Sequence, residues 1–323
     1  MIASLEVLSP GPLTTVQDLG RYGFGRYGVP PSGALDSFSL RVANLLVGNP
    51  ETEAGLEITL MGLKVRVLTD LVAALCGADL QPHLNDKPLA MWCSQILRKG
   101  DILFFKSPGT GCRAYVAVGG GISLVPVLAS KSTNLASRFG GYEGRALRKG
   151  DLLFSQSPDR HFQSAGETFK SEARPSYTGD WVLRVIPGPQ DRDFPEESRK
   201  LFFDSSFTVS SQSDRTGIRL SGPALHRKSD LGDSIISEGI VPGAIQVPGD
   251  GRPIILLVET VTGGYRKIAA VISADLPLLG QVKPGDRVRF CDVSMGEALS
   301  ALARQERAIK TYVSPLQHFS SAV

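Results

Sequence analysis

Two glycine-rich segments in the first half of the chain carry side chains that could bind an anion. In the first, residues 15–36, five glycines accompany Gln17, Asp18 and Arg21, which supply hydrogen-bond donors and acceptors within a short span. Glycine also lets the backbone approach a ligand or a neighbouring chain closely. The structural alternative is that Asp18 pairs with Arg21 and that Ser32 or Asp36 caps a helix that begins there. The segment predicts either an anion-binding loop or the capped start of a helix.

The second segment, residues 117–145, follows a predicted strand and contains three successive glycines at positions 119–121. Such a run costs backbone entropy, so a left-handed turn, tight packing or access for a ligand must compensate. Arg138 and Arg145 flank a second glycine cluster, and two guanidinium groups can hold a phosphate or carboxylate in bidentate geometry. An interface with another chain is an equally good interpretation of these arginines.

The second half of the chain contributes further candidates from three loops. They are Gln212, Asp214, Arg215, Gln246, Thr262, Gly263, Gly264, Tyr265 and Lys267. Gln246 lies in an apolar, strand-like run, where its amide could recognise another amide or a lactam, or satisfy a buried backbone group. The turn at Gly263 follows a predicted strand, and Lys267 could neutralise charge that develops in a reaction. The hypothesis of a site depends on the clustering of these residues, because each alone is a weak signal.

Short β-rich runs bounded by turn residues must position these loops. The chain has 35 Gly and 21 Pro, which fall between runs of strand length. The runs are residues 64–68, 102–105, 115–118, 182–186, 254–258 and 287–290. Helical periodicity is convincing only over residues 34–46, 195–203 and 295–308. The pattern predicts a mainly β fold of the barrel or sandwich type with few short helices.

One short phrase recurs and predicts equivalent turns. Residues 98–104 read RKGDILF, residues 148–154 read RKGDLLF, and residues 283–290 read KPGDRVRF. In each, Gly-Asp precedes a predicted strand, which is typical of a turn that needs a glycine before the strand enters the core. Phosphate binding by the basic residues is the functional alternative to a solvated surface.

The domain boundary is predicted from a polar stretch, residues 155–180, that shows no sustained periodicity. This composition predicts a first β-barrel lobe over residues 1–160, a linker over 161–177, a second β-barrel lobe over 178–305 and a tail over 306–323. Barrels often exchange terminal strands, so the structural border need not coincide with the linker.

Composition and charge exclude several classes of function. Hydrophobic residues at 42% and charged residues at 21% are typical of soluble globular proteins, and a net charge of +3 is too small for a nucleic-acid footprint. The apolar segments are shorter than the ~20 residues of a membrane span, and no export signal is visible, so we expect a cytoplasmic protein. The scattered histidines and cysteines predict no metal site. No methionine precedes a lysine, so no biotin is expected on this chain.

Five stretches of the sequence closely resemble one protein family. They are residues 16–49, 132–147, 211–223, 242–257 and 262–272, with the phrases QDLGRYG, RFGGYEG, SDRTGI, GAIQVPGDG and TGGYRK. The chain resembles the biotin-dependent carboxyltransferase family, also called allophanate hydrolase subunit 2. Its members include the C subunit of 5-oxoprolinase, the antagonist of the kinase inhibitor KipI and part of urea carboxylase. The resemblance implies two cyclophilin-like β-barrel lobes.

The same resemblance implies a function in a complex with a homologous, KipI-like B subunit and with the A subunit of 5-oxoprolinase. Such a complex opens 5-oxoproline, a lactam, to glutamate with ATP and magnesium. Phosphorylation of the lactam oxygen would require anion clamps and positioned donors more than a covalent nucleophile. Whether ATP contacts this chain, or only its partners, stays open at this point.

The resemblance turns the candidate residues into a hypothesis about roles. The anion contacts are assigned to four arginines, Arg21, Arg138, Arg145 and Arg215. The orientation of these arginines, or of a magnesium ion, is assigned to Asp18, Asp36 or Asp214. Recognition of the amide is assigned to Gln246 and Thr262, within a substrate-binding set that also contains Gln17, Gln212, Gly263, Gly264, Tyr265 and Lys267.

Two other functions are compatible with the family resemblance. The chain could be a regulatory protein that binds a KipI-like kinase inhibitor, and the glycine loops would then be an interface. It could also be the carboxyltransferase component of a biotin-dependent urea or amide carboxylase, which requires a separate biotin carrier.

Overall fold

The computed structural model describes residues 1–313, which fall into two compact units. Unit 1 comprises residues 1–21, 32–177 and the described residues from 307 onward. Unit 2 comprises residues 22–31 and 178–306. Both units consist mainly of β-strands with few helices, so the mainly β fold predicted from the sequence is confirmed.

Unit 1 contains two antiparallel sheets. Its strands are β1 (Ile2–Pro10), β2 (Leu13–Gln17), β3 (Gly55–Thr59), β4 (Leu63–Val67), β5 (Leu71–Gly77), β6 (Pro82–Leu84), β7 (Lys87–Pro88), β8 (Cys93–Leu97), β9 (Ile102–Phe105), β10 (Arg113–Val118) and β11 (Leu152–Ser155). One sheet has the order β11-β1-β4-β9-β6-β7 and the other β2-β3-β10-β5-β8. The main hydrophobic cluster takes Val7 and Val65 from the first sheet and Leu75 and Val116 from the second, so both sheets share one core.

Unit 2 contains a closed barrel. Its strands are β12 (Asp180–Pro187), β13 (Phe207–Val209), β14 (Gly217–Ser221), β15 (Glu238–Gly239), β16 (Ala244–Val247), β17 (Ile254–Leu256), β18 (Thr262–Gly263), β19 (Arg266–Val271) and β20 (Arg287–Asp292). Seven strands form the barrel in the order β12-β19-β16-β17-β14-β13-β20, which the parallel pairing of β12 with β20 closes. The short strands β15 and β18 pair separately with each other.

The helices are α1 (Ser37–Leu46), α2 (Glu196–Asp204), α3 (Leu276–Leu279) and α4 (Met295–Val313). The three helices predicted from periodicity are present as α1, α2 and α4, whereas α3 is too short to show a helical period. The helix α1 begins after Asp36, whose side chain accepts a hydrogen bond from Ser39 N at 2.9 Å. Asp36 is therefore the helix cap that the structural alternative predicted.

The polar stretch predicted as a linker, residues 161–177, lies within unit 1. Phe169 is buried there, with its ring 5.8 Å from that of Phe38 and 5.9 Å from that of Trp92. Its neighbour Glu167 accepts a backbone hydrogen bond from Ser94 N at 2.9 Å. Composition alone does not reveal this docking, because a few apolar anchors hold an otherwise polar segment. Of the predicted tail, residues 306–313 continue α4, and the remainder lies outside the described residues.

The three recurring phrases form the same turn, as predicted. Gly100, Gly150 and Gly285 have φ of 94°, 90° and 89°, which favours glycine. The following aspartate closes each turn by accepting from the backbone N–H three residues earlier, at 2.7 Å for Asp101, 2.7 Å for Asp151 and 3.1 Å for Asp286. Strands β9, β11 and β20 begin directly after these turns.

Candidate functional site

The buried polar side chains of strands β16 and β19 form the centre of the candidate site in unit 2. Gln246 and Lys267 are partners in the antiparallel register and are 4% and 5% exposed. The Gln246 amide donates from Nε2 to the backbone carbonyl of Tyr265 at 3.2 Å. An added Cβ on Gly263 would lie 2.3 Å from the same Nε2, so glycine is needed there for the amide to reach its position. The Gln246 amide thus binds a backbone carbonyl, as the structural alternative predicted, although Tyr265 itself is exposed.

Lys267 is connected to two polar residues from neighbouring segments, Glu238 and Gln190. Its Nζ forms an ion pair with Glu238 Oε1, and Gln190 Nε2 donates to the same oxygen at 2.9 Å. Gln190 Oε1 in turn accepts from Lys267 N at 3.1 Å. The hydrogen bond from Lys267, followed by that from Gln190, lowers the pKa of the Glu238 carboxyl below its ordinary value. The network keeps a cation and an anion fixed at the edge of the barrel.

The pairing of β15 with β18 brings the other predicted residues of this loop to the network. Glu238 lies opposite Gly263, and Gly239 lies opposite Thr262. Gly264 O accepts from Ile235 N at 2.8 Å, which ties the turn to the segment before β15. One cluster in unit 2, here called the Lys267 cluster, therefore contains six predicted substrate-binding residues, Gln246, Thr262, Gly263, Gly264, Tyr265 and Lys267.

A pocket of about 290 Å³ borders this cluster at Tyr265. Its walls are Ser210, Gln212, Arg219, Leu220, Ser221, Pro248, Asp250, Arg252, Pro253, Ile254 and Tyr265. Gln212 and Tyr265 were predicted from the sequence, whereas Arg219 and Arg252 were missed. The alternation of buried Ile218 and Leu220 with exposed Arg219 along β14 was the available signal.

The neighbouring candidates Asp214 and Arg215 have structural contacts. Asp214 is exposed, and its Oδ1 accepts from Thr216 N at 2.8 Å and from Gly217 N at 3.1 Å, which closes the turn before β14. Arg215 is 4% exposed and donates from Nε to the buried carboxylate of Glu259 at 2.7 Å. Removing either partner of this buried ion pair would leave the other charge buried and uncompensated. The pair therefore holds the loop beside the pocket in place.

In unit 1, Gln17, Asp18 and Arg21 pack together around residues 130–133. Asp18 Oδ1 accepts from Gly20 N at 2.8 Å, and its Oδ2 accepts from the backbone N–H of residue 131 at 2.6 Å. Arg21 is 2% exposed, donates to the carbonyl of Ser132 and lies 4.6 Å from the ring of Phe139. Gln17 Nε2 donates to the carbonyl of residue 133 at 3.2 Å. These contacts hold a loop in place and leave the three side chains largely withdrawn from solvent.

The other unit 1 candidates lie apart from that loop contact. Asp36 is 1% exposed and accepts from the Ser39 hydroxyl at 2.7 Å and from the Tyr177 hydroxyl at 3.1 Å. Arg145 donates through both terminal nitrogens to Asp151, at 2.7 and 3.0 Å. The side chain of Arg138 is exposed, and its φ of 54° is in the left-handed region. Among the four predicted anion contacts, Arg138 is the most accessible to a ligand or to another chain.

The aspartates proposed for magnesium do not fit that ion in this structure. Asp18, Asp36 and Asp214 each accept hydrogen bonds from their own loop or helix, so each carboxylate already has a structural role. Within residues 1–313, no three His, Cys, Asp or Glu side chains come together as a metal would require. We assign no magnesium-dependent step to these residues.

None of the described helices is long and apolar enough to cross a bilayer.

Two bacterial proteins are similar to this chain over nearly their whole length. The chain is 40% identical over 306 residues to the C subunit of the 5-oxoprolinase of Escherichia coli K12, which covers 94% of this chain and 96% of that protein. It is 37% identical to the C subunit of the 5-oxoprolinase of Haemophilus influenzae, over 94% of this chain and 95% of that protein.

Solved structures of much longer enzymes contain the same fold. The urea amidolyase and the urea carboxylase of K. lactis both superimpose with a TM-score of 0.91 at 35% identity over 96% of this chain. The match covers only 20% and 29% of those chains. The carboxyltransferase domain, subdomain A and B, matches residues 27–292. With this match over most of its length, and with relatives similar from end to end, the chain belongs to the family of carboxyltransferase domains built from subdomains A and B.

Proposed function

We propose that this chain is the C subunit of a cytoplasmic 5-oxoprolinase and that it works with the A and B subunits to convert 5-oxoproline to glutamate with ATP. The observation that carries the proposal is the similarity to two bacterial C subunits, at 40% and 37% identity over 94% of this chain. The bacterial C subunits are covered over 95–96% of their own length, whereas the urea amidolyase of Lachancea kluyveri is covered over 18%. The match therefore extends over a whole C subunit, but over only a part of the urea amidolyase.

The Lys267 cluster supports the proposal through its chemistry. A lactam presents a carbonyl acceptor and an N–H donor, so its recognition requires both kinds of partner. The network of Gln190, Glu238 and Lys267 offers an ammonium, a carboxylate and an amide that hold one another in fixed positions. Groups fixed in this way need little reorganisation when a substrate binds.

The nucleotide belongs to the complex in this proposal. When bound, ATP would supply the driving force that opening a stable lactam requires. The contribution of this chain is to bind and orient the lactam, because its candidate aspartates already serve the fold.

The test is glutamate release by the reconstituted complex. The chain is purified with its co-expressed A and B subunits, and glutamate is measured with 5-oxoproline in the presence and absence of ATP. We expect ATP-dependent release that requires this chain and falls at least tenfold in Lys267→Gln, a loss of about 1.4 kcal/mol or more. Lys228→Gln, which changes an exposed lysine of the same unit, is the control and should retain full activity. Absence of glutamate from the wild-type complex would reject the proposal.

Carboxyl transfer is the second candidate, and the fold match with the K. lactis urea carboxylase favours it. In this case the chain would act with a separate biotin carrier and a biotin carboxylase. The same purified chain, supplied with a carboxylated biotin carrier and urea, would then produce carboxylated urea without 5-oxoproline. Transfer in this assay, together with no glutamate release in the first, would select this function.

A further inference from the structure

We propose that the pocket beside Tyr265 binds a small carboxylate anion through Arg219 and Arg252. The anion we assign to it is the carboxylate carried by the lactam substrate, so this part of the inference rests on the proposed function. The pocket would then fix the substrate by its charged end, while the Lys267 cluster, joined to it through Tyr265, meets the ring.

Strand register places the two arginines on one face of the barrel wall. Strands β14 and β17 are antiparallel with Arg219 opposite Ile254, and Leu220 N donates to Pro253 O at 3.0 Å. Continuation of this register puts Arg252 opposite Ser221. Since side chains alternate between faces along a strand, Arg219 and Arg252 emerge on the same outer face as diagonal neighbours.

The charge of these two arginines is not neutralised by the fold. In unit 2, Arg215 is paired with Glu259 and Arg266 with Asp193. Within the described residues, the guanidinium groups of Arg219 and Arg252 have neither an ion pair nor a hydrogen bond, and only the backbone of each is bonded.

The acidic residue of the pocket does not cancel this positive charge by direct pairing. The Asp250 side chain closes its own turn, since Oδ1 accepts from Arg252 N at 3.1 Å. The pocket therefore contains two available cations and one locally engaged carboxylate.

The remaining walls suit a small, planar ligand with one charged end. Two guanidinium forks match the geometry of a carboxylate, and the hydroxyls of Ser210 and Ser221 add neutral donors at the same surface. The Tyr265 side chain is 40% exposed and offers an apolar ring against which a five-membered ring can pack. A volume of about 290 Å³ accommodates such a molecule.

Calorimetric titration of the purified full chain tests the pocket directly. The probes are 5-oxoproline, its uncharged carboxamide and inorganic phosphate, and the variants are Arg219→Gln, Arg252→Gln and Arg219→Lys. We expect 5-oxoproline to bind, the carboxamide not to bind, and each Gln variant to weaken binding roughly tenfold or more. Arg219→Lys should recover part of the loss, because it keeps the charge but not the fork. Arg304→Gln, an exposed arginine on α4, is the matched control and should bind as the wild type does.

The possible outcomes separate the inference from the proposed function. Equal binding of the carboxamide, tighter binding of phosphate than of 5-oxoproline, or Gln variants that bind like the wild type would each overturn the pocket assignment. In the complex, the Arg219→Gln and Arg252→Gln double variant should raise the KM for 5-oxoproline at least tenfold with kcat little changed. If the wild-type complex releases no glutamate, the proposed function fails. In that case the pocket assignment is tested by calorimetric titration with acetate. Acetate binding should weaken when either arginine is replaced by glutamine.

Discussion

At the scale of single residues, unit 2 separates polar side chains that serve the fold from those that line an open pocket. Arg215 and Arg219 are four positions apart, yet the first is buried against Glu259 and the second lies in the wall of an open pocket. Gln246 donates its amide N–H to the carbonyl of Tyr265, a residue that reaches both the Lys267 cluster and the pocket. A substitution that breaks the Gln246–Tyr265 hydrogen bond should therefore also alter the candidate site.

The tight contact between Gly263 and Gln246 gives a test at this scale. In Gly263→Ala, the new methyl group would lie 2.3 Å from Gln246 Nε2, so the amide must move and lose its bond to the Tyr265 carbonyl. We expect a loss of about 1–2 kcal/mol in the free energy of unfolding, measured by urea denaturation. Gly239→Ala is the control, because a Cβ there meets nothing within 4 Å, and it should change stability by less than about 1 kcal/mol. Equal effects of both substitutions would contradict the contact.

At the scale of elements, helix α1 is connected to unit 1 by a buried polar network at its first turn. Asp36 caps the helix and also accepts from the Tyr177 hydroxyl, and Asp36 N donates to the Tyr115 hydroxyl at 2.8 Å. Burial, followed by the nearby charge of Glu57, raises the pKa of Tyr115 well above its ordinary value, so this phenol stays protonated. Asp36 is thus a structural residue of unit 1.

The cap predicts a loss of stability on substitution. Asp36→Ala removes the acceptor for Ser39 N and for the Tyr177 hydroxyl, so we expect a loss of about 2–4 kcal/mol in unfolding free energy. Asp36→Asn keeps one carbonyl oxygen at the cap and should lose less. Hydrogen exchange of the α1 amides, read alongside urea denaturation, would show the difference. A catalytic aspartate without a structural task would instead leave both measurements unchanged.

At the scale of the whole molecule, the described chain has two compact units with separate cores. The core of unit 1 is shared by its two sheets, whereas that of unit 2 includes an aromatic cluster of Phe202, Phe207 and Phe290. The rings of Phe202 and Phe290 stack with centroids 4.4 Å apart. This packing joins helix α2 to the strand β20 that closes the barrel.

Truncation of this cluster should weaken the barrel. Phe290→Ala removes a 4%-exposed ring, and we expect it to cost about 3–5 kcal/mol of the stability of unit 2. Phe154→Ala, at a position that is 39% exposed in unit 1, should cost clearly less. Hydrogen exchange with mass spectrometry should locate the loss of protection in strands β12, β13 and β20. Unchanged protection of these strands would mean that the cluster does not hold the barrel together.

Features that depend on near neighbours could be predicted from the amino-acid sequence. The Gly-Asp turns, the Asp36 cap and three helices follow from residues a few positions apart, and the family resemblance was visible in contiguous phrases. Which arginine is neutralised and which is available depends instead on tertiary packing. Arg215 meets Glu259 across 44 positions, and Arg219 comes beside Arg252 through the pairing of two strands. Strand register and burial choose these partners, and no local pattern specifies either.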